Sequence, residues 1–184
     1  MRIFACTLLA GGLLALPAAQ AAVLKTDNAK STIAATFKQM GVPVDAKFKL
    51  FSAVIDFDPA KPDTAKARVD LDVASIDLGA AEYNAEVGKP EWFNKAKFPK
   101  ATFVSSTIKA NSPTQLQVSG KLSIKGKTMD VSFPLSLKKE GNAHVFDGSL
   151  PIKRLAFNIG EGEWKDTGMV ADEVIIKFHI TAAP

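Results

Sequence analysis

Along most of this chain apolar and polar residues change places one by one. Residues 31–37, "STIAATF", put Ile33, Ala35 and Phe37 on one side. Residues 45–51, "DAKFKLF", offer Ala46, Phe48 and Leu50 against Lys47 and Lys49. Residues 52–58, "SAVIDFD", continue with Ala53, Ile55 and Phe57, while Asp56 and Asp58 face away. In residues 65–76, "AKARVDLDVASI", Ala67, Val69, Leu71 and Val73 alternate with Arg68, Asp70 and Asp72. The second half repeats the pattern around Leu116, Val118, Gly120, Leu122 and Ile124, then Met129, Val131, Phe133 and Leu135, then Val174, Ile176, Phe178 and Ile180. Period-two alternation marks a strand with one face on a core. Turn signals separate the runs at 59–63, Gly79, Ser112-Pro113, Lys125-Gly126, Gly141-Asn142, 160–162 and Gly168. Short strands at this spacing predict a mainly β, mostly antiparallel sandwich or barrel.

One segment departs from the pattern. Residues 80–89, "AAEYNAEVGK", carry alanines and glutamates without alternation and predict a short helical stretch. It runs into residues 91–103, "EWFNKAKFPKATF", whose aromatic residues crowd around Pro99. Trp92 and Phe93 therefore belong to a crossing segment, and Phe103 to the strand that follows, "ATFVSSTIKA". The aromatic cluster is a plug or lid that the sheet has to accommodate. Several inward positions are small (Ala35, Ala46, Ala53, Ala67, Gly120) and stand beside phenylalanines. That mixture suits two interiors: a filled core with large and small residues interdigitated, or a tapering apolar cavity.

Residues 1–21, "MRIFACTLLAGGLLALPAAQA", have a basic start, an apolar run and an A-x-A ending, the pattern of a cleaved secretory leader. The run is short for a membrane span. The expected product is an exported, periplasmic protein beginning at Ala22, with residues 22–184 forming one domain. The single cysteine, Cys6, lies in the leader, so stability falls to the core alone. The net charge of +4 comes from scattered lysines, with only Arg68 and Arg154 as arginines beyond the leader. That distribution argues against nucleic acid as a partner and leaves room for a transient contact with a membrane surface or membrane protein. Oligomeric state is open, a homodimer included.

Little in the sequence suggests catalysis. His144, near the Gly141 turn, and His179, on the outward face of the last strand, read as solvated surface residues. No His, Asp and Glu pattern has metal-ligand spacing, and Ser75 and Asp77 lack a local histidine partner. No catalytic cofactor and no metal are expected. Gly160-x-Gly162 lacks the strand-to-helix setting of a phosphate loop.

The order of "FDP" (57–59), "DVASIDLG" (72–79), "WFNKAKFPKATF" (92–103), "VSGKLSIKGKTMDVSFP" (118–134) and "DEVIIKF" (172–178) resembles the YceI-like family of periplasmic or secreted proteins. The resemblance implies an extended antiparallel lipocalin-like β-barrel around a long apolar tunnel. Such a tunnel holds a polyisoprenoid lipid or an isoprenoid quinone, which makes the expected function binding or carriage of that chain. It places Trp92, Phe93 and Phe98 in the lid and tunnel wall. By the alternation, Phe37, Phe48, Leu71, Val73, Leu122 and Phe133 face the interior, and Phe103 joins them. Two positions depart from the family pattern. Asn84 and Glu86 precede the aromatic pair where relatives carry an acid and a histidine, and Ala46 stands where a glycine is common. The competing readings are a solid barrel serving as an interaction or structural protein, and an enzyme acting on a lipid through acids such as Asp77 or Glu86.

Overall fold

The strands follow the alternating runs in a computed structural model that describes residues 22–184; the leader expected at 1–21 lies outside the described residues. They are β1 (Ala22–Thr26), β2 (Thr32–Gln39), β3 (Val42–Phe48), β4 (Phe51–Phe57), β5 (Lys66–Asp72), β6 (Ile76–Asp77), β7 (Lys100–Ser112), β8 (Gln115–Ile124), β9 (Lys127–Glu140), β10 (Ala143–Lys153) and β11 (Val170–Ala183). A single short helix, α1 (Ala81–Glu86), occupies the stretch where alternation fails.

All pairings are antiparallel, and the sheet closes because β1 bonds to β4 on one side and to β11 on the other. Three of its staves are broken midway. β1 and β2 pair in turn with the end and the earlier part of β11, β4 and β3 with β1 and β2, and β5 and β6 with β4 and β3. Counted as single staves with β7 to β11, these make a closed eight-stranded barrel. Two of the breaks are set by aspartates. Asp27 accepts from Ala29 N–H at 3.1 Å and Asp72 from Ala74 N–H at 2.8 Å, each opening one 3-10 turn. Such side chains compete with the ladder for backbone groups and so interrupt strands.

The hairpins are tight. Met40 and Gly41 between β2 and β3, and Lys125 and Gly126 between β8 and β9, all have positive φ. That is the twist-matched geometry of two-residue hairpin loops. In β7 a register shift between Ser105 and Thr107 changes the phase, so that Phe103 and Ile108 can both face inward.

Three alternation readings fail at strand ends. Leu50 is 61% exposed, because the break between β3 and β4 resets the phase and Phe51 takes the next inward place. Met129, near the β8–β9 turn, is 41% exposed and stands off the interior. Asp58, expected to face solvent, is buried: its carboxylate turns back to accept from Ala60 N–H at 2.8 Å and shapes the turn after β4.

Candidate functional site: an apolar cavity along the barrel axis

The interior is open. It holds a cavity of about 230 Å³ whose lining is apolar apart from Thr102 and Arg154. That exceeds the roughly 150 Å³ of an engineered apolar cavity that stays dry and accepts benzene. The lining reaches from Trp92, Arg154 and Val170 at one end to Phe57 and Phe146 at the other. Along β11 alone it runs from Val170 to Ile180.

Two glycines explain why large side chains do not close this space. Phe178 on β11 lies opposite Gly148 on β10, and its ring tip occupies the place where a Cβ on Gly148 would stand. Phe103 on β7 does the same to Gly120 on β8, with Cε2 and Cζ each 2.7 Å from the missing Cβ. Phe133 sits between them, its ring centroid 5.5 Å from that of Phe103 and 5.4 Å from that of Phe178. Three rings thus form a row along one wall, two of them laid over bare backbone rather than pushed across the bore. Tilted and edge contacts of this kind are favourable aromatic geometries.

One end is covered by the crossing segment and by the loop between β10 and β11. Trp92 is buried and its ring packs 5.3 Å from that of Trp164. The two coverings are tied together: Gly160 and Glu161 N–H both donate to Glu91 C=O, at 2.9 and 2.8 Å. Beneath them Arg154 is 2% exposed and donates to five carbonyls. Nε–H reaches Ala171 O at 3.1 Å, Nη1 reaches Ile159 O at 2.8 Å and Gly160 O at 3.2 Å, and Nη2 reaches Trp164 O and Val170 O at 2.7 Å each. Burial lowers the affinity of this guanidinium for its proton, and the charge of Asp172 partly offsets that. With its donors used on backbone, Arg154 clamps the loop instead of reaching into the cavity. Lys125 adds a second clamp, donating to Asn158 O at 2.6 Å and to Glu161 at 2.9 Å, and holds the Glu161 carboxyl below its usual range.

The far end is stoppered by aromatic edges. Phe57 meets His144 at 5.2 Å and Phe146 at 5.7 Å, ring to ring, in T-shaped contacts. His144 is therefore buried, not the surface residue its turn-side position suggested, and its Nδ1 has no hydrogen-bond partner. Burial first, and the charge of Lys139 second, push its pKa below the ordinary histidine value. His179 does face outward, where Nδ1 lies 2.6 Å from the Asp147 carboxylate.

Of the residues singled out from sequence, Phe37, Phe48, Leu71, Val73, Trp92, Phe93, Phe103, Leu122 and Phe133 all line this one cavity. Phe98 does not. Its ring instead packs against Gly126 in the β8–β9 turn, 2.8 Å from where a Cβ would be. Ala46 is also in the lining and leaves the cavity open. Sequence reasoning missed Phe57's partners His144 and Phe146, the Gly148–Phe178 contact, and Arg154. All but Phe178 lie on or just beyond β10, where Gly148 and Pro151 obscure the alternation.

The polar positions near the crossing segment serve structure. Asn84 accepts from Leu78 N–H at 2.7 Å and donates to Asp77 at 3.3 Å, while Glu86 pairs with Lys89. Lys49, Gly79 N–H and Asn84 together hold the Asp77 carboxyl at a pKa of about 2. Among the described residues no group of three or more His, Cys, Asp or Glu side chains is placed to hold a metal ion.

The barrel has counterparts in known proteins. The chain is similar to a UPF0312 protein of Azotobacter vinelandii, 32% identical over 69% of this chain and 67% of that one. It is also similar to Protein YceI of Salmonella arizonae, 31% identical over the same shares of the two chains. Among solved structures, Burkholderia cenocepacia BcnA superposes with a TM-score of 0.83 at 51% identity, over 85% of this chain and 98% of that one. A polyisoprenoid binding domain from Saccharophagus degradans, implicated in plant cell wall breakdown, shares the fold with a TM-score of 0.72 at 16% identity, over 88% of this chain and 98% of that one. Residues 24–182 match the YceI-like domain, and the chain belongs to the YceI-like family.

Proposed function

We propose that this protein is a periplasmic binding and carrier protein for a long isoprenoid chain, a polyprenyl lipid or an isoprenoid quinone, held in the barrel cavity. The observation that carries the proposal is the cavity itself, elongated and lined almost wholly by apolar side chains. From Val170 to Ile180, at ~3.4 Å per residue and a barrel tilt near 40°, it extends roughly 25 Å. A volume of about 230 Å³ over that length suits one extended chain better than a globular ligand. The polyisoprenoid-binding relative of the same fold adds support, and the leader-like start of the chain supports export.

The energetics favour discrimination by shape. Each buried methylene contributes ~0.8 kcal/mol relative to water. A membrane lipid, however, is already out of water, so extraction requires a bore that fits better than the bilayer does. With Arg154 committed to carbonyls, and the Thr102 hydroxyl and the unpartnered Trp92 Nε1–H the other polar groups of the wall, charge contributes little to that fit.

Solvent extraction and mass spectrometry of the mature protein, purified without detergent, tests the reading. A stoichiometric polyprenyl lipid or quinone is the expected result. A protein that arrives without such a lipid and then takes up neither added long-chain quinone nor polyprenol rules the carrier function out.

A further inference from the structure

The cavity differs from one end to the other. Around Phe57, Leu116, Leu135 and Phe146 its side chains are carbon alone. The polar groups of the wall belong to Trp92, Thr102 and Arg154, and all three lie towards the covered end. Trp92 is in the crossing segment, Thr102 near the start of β7 that follows it, and Arg154 beneath the loop between β10 and β11. An interior with one polar end orients a chain that has a head and a tail.

Most of the hydrogen-bonding capacity at that end is spent. Arg154 uses its five N–H groups on backbone carbonyls. Glu91 C=O, next to Trp92 in the chain, accepts from both Gly160 and Glu161 N–H. The Trp92 side chain is different: the residue is 8% exposed, and its buried Nε1–H has no acceptor. A buried donor left unpaired costs free energy that a partner recovers. An indole N–H donates and does not accept, so the missing partner is an acceptor. The guanidinium carbon of Arg154 lies 5.8 Å from the Trp92 ring centroid, and its positive charge favours an electron-rich atom nearby.

The count of free donors sets the class of acceptor. A phosphate brings several charged oxygens to a wall that offers it the indole N–H and the Thr102 hydroxyl, and burying a charge without enough partners is costly. A carbonyl oxygen is satisfied by one donor and brings no net charge. We propose that the covered end is a head-group site, in which Trp92 Nε1–H donates to a carbonyl oxygen on the head of the cargo, such as a quinone supplies, while the isoprenoid tail runs towards Phe57 and Phe146. The inference rests on the cargo reading above and chooses within it, for a quinone and against a polyprenyl phosphate.

The test uses the mature protein freed of bound lipid and probes that share one farnesyl chain: a farnesylated benzoquinone, the hydrocarbon farnesene and farnesyl phosphate. Each is titrated into wild type and into Trp92→Phe, which keeps an aromatic ring and removes the donor. The quinone is expected to bind the variant about fivefold to tenfold more weakly than wild type, and farnesene to bind both equally. Farnesyl phosphate is expected to bind wild type more weakly than the quinone does. In isotope-labelled wild type the Trp92 indole N–H resonance, told apart from that of Trp164 by a Trp164→Phe sample, is expected to move downfield with the quinone and to stay in place with farnesene. That reading does not depend on the Trp92 variant folding. A resonance that ignores the quinone overturns the inference, as does a variant that loses quinone and farnesene equally, which makes Trp92 apolar wall and no more. Farnesyl phosphate bound as tightly as the quinone overturns the choice of a neutral head. If farnesene binds and the quinone does not, this inference falls alone; if neither binds wild type, the cargo reading falls and takes it along.

Discussion

Gly148→Ala separates the capacity of the cavity from the stability of the barrel. A methyl group there would lie within 2.8 Å of Phe178 Cε2 and closer still to Cζ, so the ring has to move by about 1 Å or more to regain ordinary contact. The ring has one direction to take, off the wall and into the bore. Overpacking a filled core costs about 1–3 kcal/mol. Here the ring moves into open apolar space, and replacing glycine within a strand returns roughly 0.5–1 kcal/mol of chain entropy. The net change in stability is therefore expected to stay within about 1 kcal/mol. Binding is expected to suffer more. A ring intruding into a bore one chain wide displaces on the order of two methylenes of cargo, ~1.6 kcal/mol at ~0.8 kcal/mol each, or roughly 15-fold in Kd. Quenching of Trp92 and Trp164 fluorescence by an added isoprenoid quinone measures the binding, and urea denaturation measures the stability. Phe178→Leu in the same chain is expected to restore affinity by shortening the displaced side chain. A variant destabilised by several kcal/mol with its affinity intact would show that the interior is packed shut and the argument wrong.

Two further substitutions probe the ends of the cavity. Arg154→Met leaves five carbonyls without their charged donor and is expected to cost about 3–5 kcal/mol in urea denaturation; a loss below about 1 kcal/mol would mean the clamp is not holding the loop. His144 has a folded pKa below its unfolded value, so its contribution is present above about pH 6.5 and is lost as pH falls below that, when the unfolded chain binds the proton more readily. His144→Phe keeps an aromatic edge on Phe57 and is expected to flatten the fall in urea midpoint between neutral and mildly acidic pH; an unchanged slope would assign that pH dependence to other groups.

What could be read from sequence, and what could not, divides along a physical line. Strand faces were legible wherever both neighbours in the alternation were ordinary residues, as in Ala67, Val69, Leu71 and Val73, because a single period-two pattern encodes the inward direction. At Leu50 and Asp58 a chain break or an aspartate cap reset the phase, and local alternation carries no signal of that. β10 was hidden for a different reason: Gly148 and Pro151 look like turn residues, yet one makes room for a ring from the next strand and the other fits the strand. Whether the barrel was solid or hollow was also unreadable. That depends on Phe103 and Phe178 lying over glycines on neighbouring strands, contacts between residues far apart in sequence. Arg154 was overlooked because a buried arginine held by backbone alone has no partner residue whose spacing would reveal it.

The seam that closes the barrel has a consequence for how the chain folds. From β7 to β10 each strand pairs with the next through a short turn, so these contacts are local and quick to form. The closing contacts join the first strands to the last: Thr181 N–H donates to the Ser31 hydroxyl across 150 residues of sequence. Until β11 arrives, β1 and β2 have no partner on that side and β10 presents an open edge beside an apolar wall. Closing so long a loop is entropically the dearest step in the pathway, and it is the last that the order of the chain permits. A chain lacking β11 is therefore expected to be not a weaker barrel but an open sheet, with two free edges suited to pairing with other copies.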